Sequence, residues 1–361
     1  MASLKENLES LQSKAKERTV KTQNVEYDLE TLVKKIERKT IKLNPEYQRN
    51  HRWGNDVSSR LIESLILNIP VPLIYISQDI DVDEETEDDI ARYSVIDGQQ
   101  RLTAIYEFFK NKYSLTGLSV LEELNEALYK DLPPFLTRRL EERTIKCLRI
   151  DSTLDSQVKY DIFERLNSGS VKLEPQELRN ATCRGPFKSL IKNLSTNEDF
   201  KTMAQLDPNG ARVKKMEDQE LVLRFFALVY QDGHAQYKGG FKGFLTSKME
   251  EFNELPIETI QEMESFFVNT MQAIRKNMGD KPFSKYRFEN EELSRMSKFN
   301  AAVFDSVVVL YSKVVNGEHT PVSDESFKEL FKDPEYFSSV EGSVNDVSKL
   351  ANRISIALQA A

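Results

Sequence analysis

A single glycine separates a β-rich stretch from an amphipathic stretch in the sequence Tyr93-Ser-Val-Ile-Asp-Gly-Gln-Gln-Arg-Leu-Thr-Ala-Ile-Tyr-Glu-Phe-Phe109. This pattern predicts a strand, a tight turn at Gly98 and a helix whose N-terminal amides face an anion. Arg101 offers a planar guanidinium that fits two phosphate oxygens, and Asp97 offers a carboxylate for a magnesium ion. These residue types indicate nucleotide phosphate binding. The alternative is an ordinary strand, turn and helix in which Asp97 and Arg101 are solvated.

The elements that would position this turn follow from hydrophobic spacing in the first half of the chain. Residues 55–68 predict a helix with Val57, Leu61, Leu65 and Ile66 directed inward. Strands are predicted over residues 73–77, 93–96 and 144–150, and helices over residues 26–38 with a cap near Asp28, 99–110, from Pro133-Pro134, and 155–166.

The second half reads as helices alone. Apolar residues recur at three- and four-residue steps over residues 217–230, 243–252, 258–278, 297–315 and 345–358. Turn-forming residues near Gly169 to Pro175 place a boundary between the halves. We therefore expect an α+β chain with a helical tail (residues 1–17), an α/β domain (residues 18–172) and an all-helical domain (residues 173–361).

Composition limits the classes of function. The chain has 361 residues, of which 39% are hydrophobic and 30% charged, which is typical of a globular protein rather than a disordered one. The formal net charge of −8 means that attraction to nucleic acid would need a local basic surface. Much of the acidity lies in residues 79–89, which lack the glycine and closing glutamate of a calcium loop and are interpreted as a solvated connection.

The two cysteines, Cys147 and Cys183, have no metal-ligand spacing around them and are interpreted as structural thiols. The N-terminus has no signal-peptide pattern, and no apolar stretch has the length of a membrane span. A cytoplasmic location without membrane association is therefore expected.

Three clusters carry more polar groups than a simple core requires. They are Asn44-Pro-Glu-Tyr-Gln-Arg-Asn-His-Arg-Trp53, Asp97-Gly-Gln-Gln-Arg101 and Phe163-Glu-Arg-Leu-Asn-Ser-Gly169. In this order they resemble the N-terminal domain of GmrSD-type modification-dependent restriction endonucleases, a family related to the ParB and sulfiredoxin nucleotide-binding fold. The resemblance extends downstream to residues 173–181 and 298–305. It implies a ParB/sulfiredoxin-like N-terminal domain.

The resemblance also implies a site that binds and hydrolyses a nucleoside triphosphate with Mg²⁺. Asp97 would hold the metal, Gln100 would orient the attacking water and Arg101 would clamp phosphate oxygens. The amides of Gly98 and Gln99 would cradle a phosphate. The remaining nucleotide-binding residues that the resemblance implies are Gln48, Arg49 and Trp53 from the first cluster and Arg165 and Asn167 from the third.

Several of these residues have a structural alternative. Trp53 is the only tryptophan, and it could stack on a base or anchor the core. His51 reads as a surface residue. Arg165 and Asn167 could simply cap a helix end, and Arg179 and Asn180 could pair within the helical body.

Two hypotheses for function remain open at this point. In the first, the chain is the NTP-hydrolysing sensor of a bacterial anti-phage or restriction-like system, and a separate nuclease or toxin supplies the lethal chemistry. In the second, it is a nucleotide- or DNA-binding partner without turnover, as an antitoxin is. A self-sufficient nuclease is disfavoured because His234 and His319 lie in no metal-binding nuclease pattern.

DNA is a further candidate partner, through either of two basic segments. Arg138, Arg139, Arg143, Lys146 and Arg149 cluster near one predicted strand. Residues 281–288, Lys-Pro-Phe-Ser-Lys-Tyr-Arg-Phe, alternate cations with aromatics as a stacking groove does. Solvated faces explain both segments equally well. The sequence does not decide which nucleotide base is preferred. It also leaves the oligomeric state open, and a homo-oligomer is one possibility.

Overall fold

The computed structural model describes residues 21–43, 53–78, 93–150, 156–166, 174–183 and 185–360. The chain divides into two compact units, Met1–Lys172 and Leu173–Ala361. The first contains a mixed β-sheet and the second is mainly helical, so the predicted α+β class is confirmed. Within the described ranges, no helix combines the length and the apolar character that crossing a membrane requires.

The N-terminal unit contains a five-stranded sheet in the order β1-β5-β3-β4-β2. Its strands are β1 (Thr22–Asp28), β2 (Ile41–Lys42), β3 (Ile74–Gln78), β4 (Tyr93–Asp97) and β5 (Thr144–Ile150). β1 is antiparallel to β5 and β3 is antiparallel to β4, whereas β3 runs parallel to β5 and β2 parallel to β4. β4 therefore lies inside the sheet, and its carboxyl end is where the candidate turn begins.

Within the part of this unit that the structure describes, five helices accompany the sheet. They are α1 (Leu29–Glu37), α2 (Asn55–Ile66), α3 (Gln99–Phe109), α4 (Pro134–Glu141) and α5 (Ser156–Leu166), with 3₁₀ turns at Glu122–Leu124 and Tyr129–Asp131. Apolar side chains of α1 to α4 form one buried core with strand residues such as Ile74, Ile76 and Cys147. α5 contacts β4 and buries Phe163. Residues 93–109 are thus fixed as a rigid strand, turn and helix.

The predicted elements of this unit differ from the structure at three places. Residues 22–28 form strand β1, so the first helix begins at Leu29 rather than residue 26, although Asp28 is its N-cap as predicted and accepts from the Thr31 amide at 2.7 Å. The short strand β2 was not predicted. Val57 was expected to point inward but is 40% exposed. Both missed strands owe their formation to partners distant in sequence.

The C-terminal unit contains twelve described helices and one β-hairpin. The helices are α6 (Pro175–Thr182), α7 (Pro186–Leu194), α8 (Glu198–Met203), α9 (Ala211–Lys214), α10 (Glu217–Val229), α11 (Gly233–Gln236), α12 (Phe241–Asn253), α13 (Ile257–Met278), α14 (Ala301–Val315), α15 (Asp324–Lys328), α16 (Pro334–Ser339) and α17 (Val347–Gln359). 3₁₀ turns occur at Tyr230–Asp232 and Glu329–Lys332. α14 is buried on all sides from Ala302 to Ser312 and forms the centre of the core.

The hairpin corrects the expectation that this half contains helices alone. Strands β6 (Lys285–Glu289) and β7 (Glu292–Ser297) pair across a turn in which Asn290 and Glu291 have φ of 52° and 64°. Of the alternating residues 281–288 that suggested a stacking groove, those from Lys285 onward are therefore strand residues with a period of two. The helix predicted from residue 297 begins only at Ala301, where the Asn300 side chain accepts from the amides of Ala302 and Val303.

Candidate nucleotide site at the β4–α3 turn

The turn after β4 has the backbone that the sequence predicts. Gly98 has φ of 96° and ψ of 11°, a left-handed conformation that a residue with a side chain adopts only with strain. A Cβ atom at this position would lie 2.3 Å from Ile74 Cδ1 and 3.2 Å from Arg101 Nη2. α3 begins at the next residue, so its positive dipole end faces the turn. Backbone conformation and close packing both require glycine here.

Arg101 connects this turn to the start of β3. Its Nη1 donates to the carbonyl oxygens of Pro72 and Leu73, the latter at 3.1 Å. Its Nη2 donates to Asp97 Oδ2 at 2.7 Å. The Arg101 side chain is only 11% exposed. Its N–H groups therefore hold the first and last residues of the turn together and anchor them to a neighbouring strand.

The electrostatics of this pair follow from its burial. Burial lowers the pKa of Arg101 from its usual value, and the Asp97 carboxylate opposes this effect. The guanidinium remains charged, because the usual pKa of arginine lies far above neutral pH. The Asp97 side chain is 34% exposed, and its Oδ1 makes no hydrogen bond with a described residue. One carboxylate oxygen thus pairs with Arg101, while the other accepts no hydrogen bond from a described residue.

The two glutamines of the motif have different surroundings. The Gln100 side chain accepts a hydrogen bond from the Trp53 amide at 3.2 Å, although the two residues are 47 positions apart. Trp53 is half-buried against the N-terminal core. Gln99 is 6% exposed. The structure therefore brings the end of the first sequence cluster to the second, with the Trp53 ring in the role of a core residue.

The third cluster lies only partly within the described residues. Arg165 is exposed in the last turn of α5, the helix that contacts β4. Gln48, Arg49, His51 and Asn167 lie outside the described residues. Their convergence on the turn stays a prediction.

Sequence reasoning missed the acceptors that position Arg101. They are main-chain carbonyls at Pro72 and Leu73, which any residue type supplies, so no sequence signal marks them. Tyr75, which is paired in register with Asp97, was also not predicted, and it lies half-buried beside the site.

The arrangement fits a magnesium-bound phosphate in two respects. Mg²⁺ needs only one or two protein carboxylates when phosphate oxygens and waters complete its coordination, and Asp97 Oδ1 could supply one such ligand. α3 also begins two residues after Asp97, so its N-terminal dipole favours an anion beside that carboxylate. Among the described residues, no group of three or more His, Cys, Asp or Glu side chains could hold a metal by itself.

Arg179 and Asn180 pair within the helical unit. Arg179 is 1% exposed and donates to Glu220 Oε2 at 2.8 Å and to Thr246 Oγ1 at 3.3 Å. Asn180 donates to Gln219 Oε1 at 2.8 Å. These contacts connect α6 to α10 and α12. The structural interpretation of both residues is therefore the one that the contacts support.

Glu177, also on α6, provides a prediction about pH. Burial raises the pKa of this carboxyl to about 7, while its hydrogen bond from the Glu174 amide and the Lys215 ammonium favour the ionised form. The folded protein keeps this proton up to a higher pH than the unfolded chain does. The resulting stabilisation is therefore complete below the pKa that the carboxyl has in the unfolded chain, and it is lost as pH rises through about 7.

We therefore expect Glu177→Gln to abolish this loss. Compared with the variant, the wild-type chain should lose about 1–2 kcal/mol of unfolding free energy between mildly acidic and mildly alkaline pH. Chemical denaturation at both pH values measures it. Parallel changes in the two proteins would contradict the assignment.

In the basic cluster near β5, some cationic side chains contact other residues and some do not. Arg149 donates to Gln23 Oε1 and lies 6.0 Å from the centre of the Tyr93 ring, while Lys146 forms an exposed ion pair with Glu26 at 3.8 Å. Arg138 and Arg139 are exposed and form no ion pair with a described residue.

Cys147 and Cys183 are free and buried, and burial raises the pKa of each thiol to about 11. Both behave as the structural thiols that the sequence predicts.

Comparison with known proteins agrees with the resemblance seen in the motifs. Residues 29–183 match the family model described as the GmrSD restriction endonuclease, N-terminal domain. No curated protein and no solved structure matches the chain significantly, so the ParB/sulfiredoxin relationship stays an expectation from the family. The match covers less than half of the chain, and it includes α1 to α6 together with the β4–α3 turn. Residues 29–183 of this chain are therefore similar to the N-terminal domain of the GmrSD restriction endonuclease.

Proposed function

We propose that the β4–α3 turn binds and hydrolyses a nucleoside triphosphate with Mg²⁺, and that the chain is the sensing component of a restriction-like defence system. The observation that supports this most is the Gly98 turn, in which a left-handed glycine, an oriented carboxylate and a helix N-terminus meet. The similarity of residues 29–183 to the GmrSD N-terminal domain supports the restriction-like setting. Because the matched domain is the N-terminal one of an endonuclease, we assign the cleavage chemistry to a nuclease or toxin partner.

We propose a different task for each motif residue. Asp97 would hold Mg²⁺ through Oδ1, and the ion would supply charge neutralisation for the phosphates. Gln100 would orient the attacking water, as its polar side chain lies in the turn next to Trp53. Arg101 would act on the phosphate with the N–H groups that Pro72, Leu73 and Asp97 do not use, and it also holds Asp97 in place.

The second hypothesis, binding without turnover, is favoured by one observation. Arg101 already donates three hydrogen bonds to other protein groups, as an arginine with a structural role does. In that case the turn would hold a nucleotide or a DNA phosphate, and the helical unit would dock a partner protein.

The experiment that tests turnover is phosphate release by the full chain with Mg²⁺ and each nucleoside triphosphate in turn. Asp97→Asn keeps an oxygen acceptor for Arg101 but removes the charge that would hold the ion, so we expect release to fall about 100-fold or more. The variant should also melt at a lower temperature than wild type, because the Arg101 guanidinium loses its counter-charge. Arg101→Ala should lose release and also unfold at lower temperature, because a carboxylate and two carbonyls lose their donor.

Arg139→Ala is the matched control, since Arg139 is an exposed arginine of the same unit with no ion pair to a described residue. It should release phosphate at the wild-type rate. Background release by all four proteins together with equal nucleotide binding would exclude a role for the turn. Tight binding by wild type without release, weakened in Asp97→Asn, would favour the binding module.

A further inference from the structure

A cleft of about 480 Å³ opens in the helical unit between strand β6 and the segment 331–337. Seven residues line it, namely Arg287, Phe288, Glu289, Phe331, Lys332, Pro334 and Phe337. Three are phenylalanines and three are charged. This combination of flat apolar walls and charged groups differs from a simple gap between hydrophobic elements.

The aromatic walls differ in exposure. Phe331 is 3% exposed and is held edge-on by Tyr286 and Tyr336, with ring centres 5.6 and 5.3 Å away. Phe288 is 39% exposed, and its position near the hairpin turn leaves its ring accessible. The cleft thus combines a fixed aromatic wall with an exposed aromatic surface on which a planar group can stack.

Two cations accompany these rings. The Arg287 guanidinium lies 5.9 Å from the centre of the Phe337 ring, and Lys332 Nζ lies 5.3 Å from the centre of the Phe288 ring. Arg287 forms ion pairs with Glu289 and Glu341 at 3.4 and 3.9 Å, but its side chain makes no hydrogen bond with a described residue. Its directed N–H donors are therefore available to an oxyanion.

The charge of the lining also favours an anion. Lys332 Nζ forms an ion pair with Glu329 at 2.5 Å, in which the two side chains are 42% and 58% exposed. Exposed ion pairs contribute about 1 kcal/mol or less, so a phosphate can compete with the carboxylates for Lys332 and Arg287. On the neighbouring strand, Arg295 is exposed and forms no ion pair with a described residue. One anionic group next to a planar aromatic group matches this arrangement of cations and rings.

We propose that this cleft binds a single nucleotide unit, with the base against the Phe288 ring and the phosphate at Arg287 and Lys332. Its volume lies within the range of small-molecule sites. Stacking on an aromatic side chain accepts every base, while the cations select the phosphate. The unit is either a free nucleotide or an unstacked nucleotide of a DNA strand. This site belongs to the C-terminal unit and is separate from the β4–α3 turn.

The test uses the full chain at low salt with two probes, a short fluorescein-labelled oligothymidylate and unlabelled thymidine 5′-monophosphate. Phe288→Ala should weaken binding about 10-fold or more, because the stacking surface is removed. Lys332→Ala should weaken binding and reduce its dependence on salt. Met296→Ala is the matched control, since Met296 is 42% exposed on the same hairpin but does not line the cleft.

The two probes distinguish the source of the nucleotide. Anisotropy that depends on Phe288 and is reversed by the monophosphate supports a site that accepts either source. Binding of the oligonucleotide alone indicates a DNA strand, and calorimetric binding of the monophosphate alone indicates a free nucleotide. The proposal is overturned if wild type binds neither probe, or if Phe288→Ala and Lys332→Ala both behave like Met296→Ala. Asp97→Asn should retain this binding, so failure of the triphosphate site leaves this result interpretable.

Discussion

Replacing Asp305 by asparagine is expected to lower the free energy of unfolding by about 3–5 kcal/mol, because it leaves two buried guanidinium groups without their counter-charge. Asp305 on α14 is fully buried. Its Oδ1 accepts from Arg224 Nε at 2.5 Å, and its Oδ2 accepts from Arg224 Nη2 at 2.7 Å and Arg353 Nη2 at 2.5 Å. One carboxylate therefore holds α10, α14 and α17 together.

The electrostatics of the cluster explain the size of this effect. Burial alone would lower the pKa of Arg224, but Asp305 outweighs burial and the net pKa is raised above its usual value. Arg353 also donates to the carbonyls of Ser339 and Val344, while its Nε has no partner among the described residues. Arginine does not neutralise in the interior, so the variant must bury uncompensated charge or open the helices.

Calorimetry of the full chain measures this prediction, with a fall of roughly 10 °C in the transition of the affected unit. Glu318→Gln is the control, because Glu318 pairs with Lys313 of the same helix at 3.0 Å but is 48% exposed. An exposed ion pair contributes about 1 kcal/mol or less. Equal, small shifts in both variants would refute a stabilising role for the buried cluster.

Replacing Gly98 by alanine is expected to cost about 2–4 kcal/mol and to abolish nucleotide binding at the turn. The backbone φ of 96° is strained for any side chain, and the new Cβ would lie 2.3 Å from Ile74 Cδ1 in the core. Relief of this overlap must move β3 or the turn. Either movement displaces Arg101, which contacts both, and with it the orientation of Asp97.

Thermal unfolding and nucleotide titration of the same variant test both parts. Gly243→Ala is the matched control, since Gly243 lies inside α12 and no atom lies within 4 Å of an added Cβ. Alanine there should stabilise the chain by about 0.5–1 kcal/mol. The two glycine substitutions are thus expected to have opposite signs. A stable Gly98→Ala variant with wild-type binding would contradict the proposed role of the turn.

The β4–α3 turn could be predicted from sequence because its determinants are local. A β-rich run, one glycine and a helical apolar spacing lie within seventeen consecutive residues, Tyr93 to Phe109. The helix at residues 55–66 and the strand at residues 144–150 were predicted for the same reason. Strand β1 was not, since its polar residues become a strand only by pairing with β5, more than a hundred residues away.

The sequence by itself determined the α+β class, the similarity of residues 29–183 to the GmrSD N-terminal domain and the glycine turn with its Asp97 and Arg101, because residue type and short-range spacing encode them. Only the tertiary structure decided what those side chains contact. Arg101 reaches carbonyls 28 and 29 residues earlier, and Asp305 meets arginines 81 and 48 positions away. Such contacts depend on which surfaces are buried together after the chain has collapsed, and no local pattern specifies that.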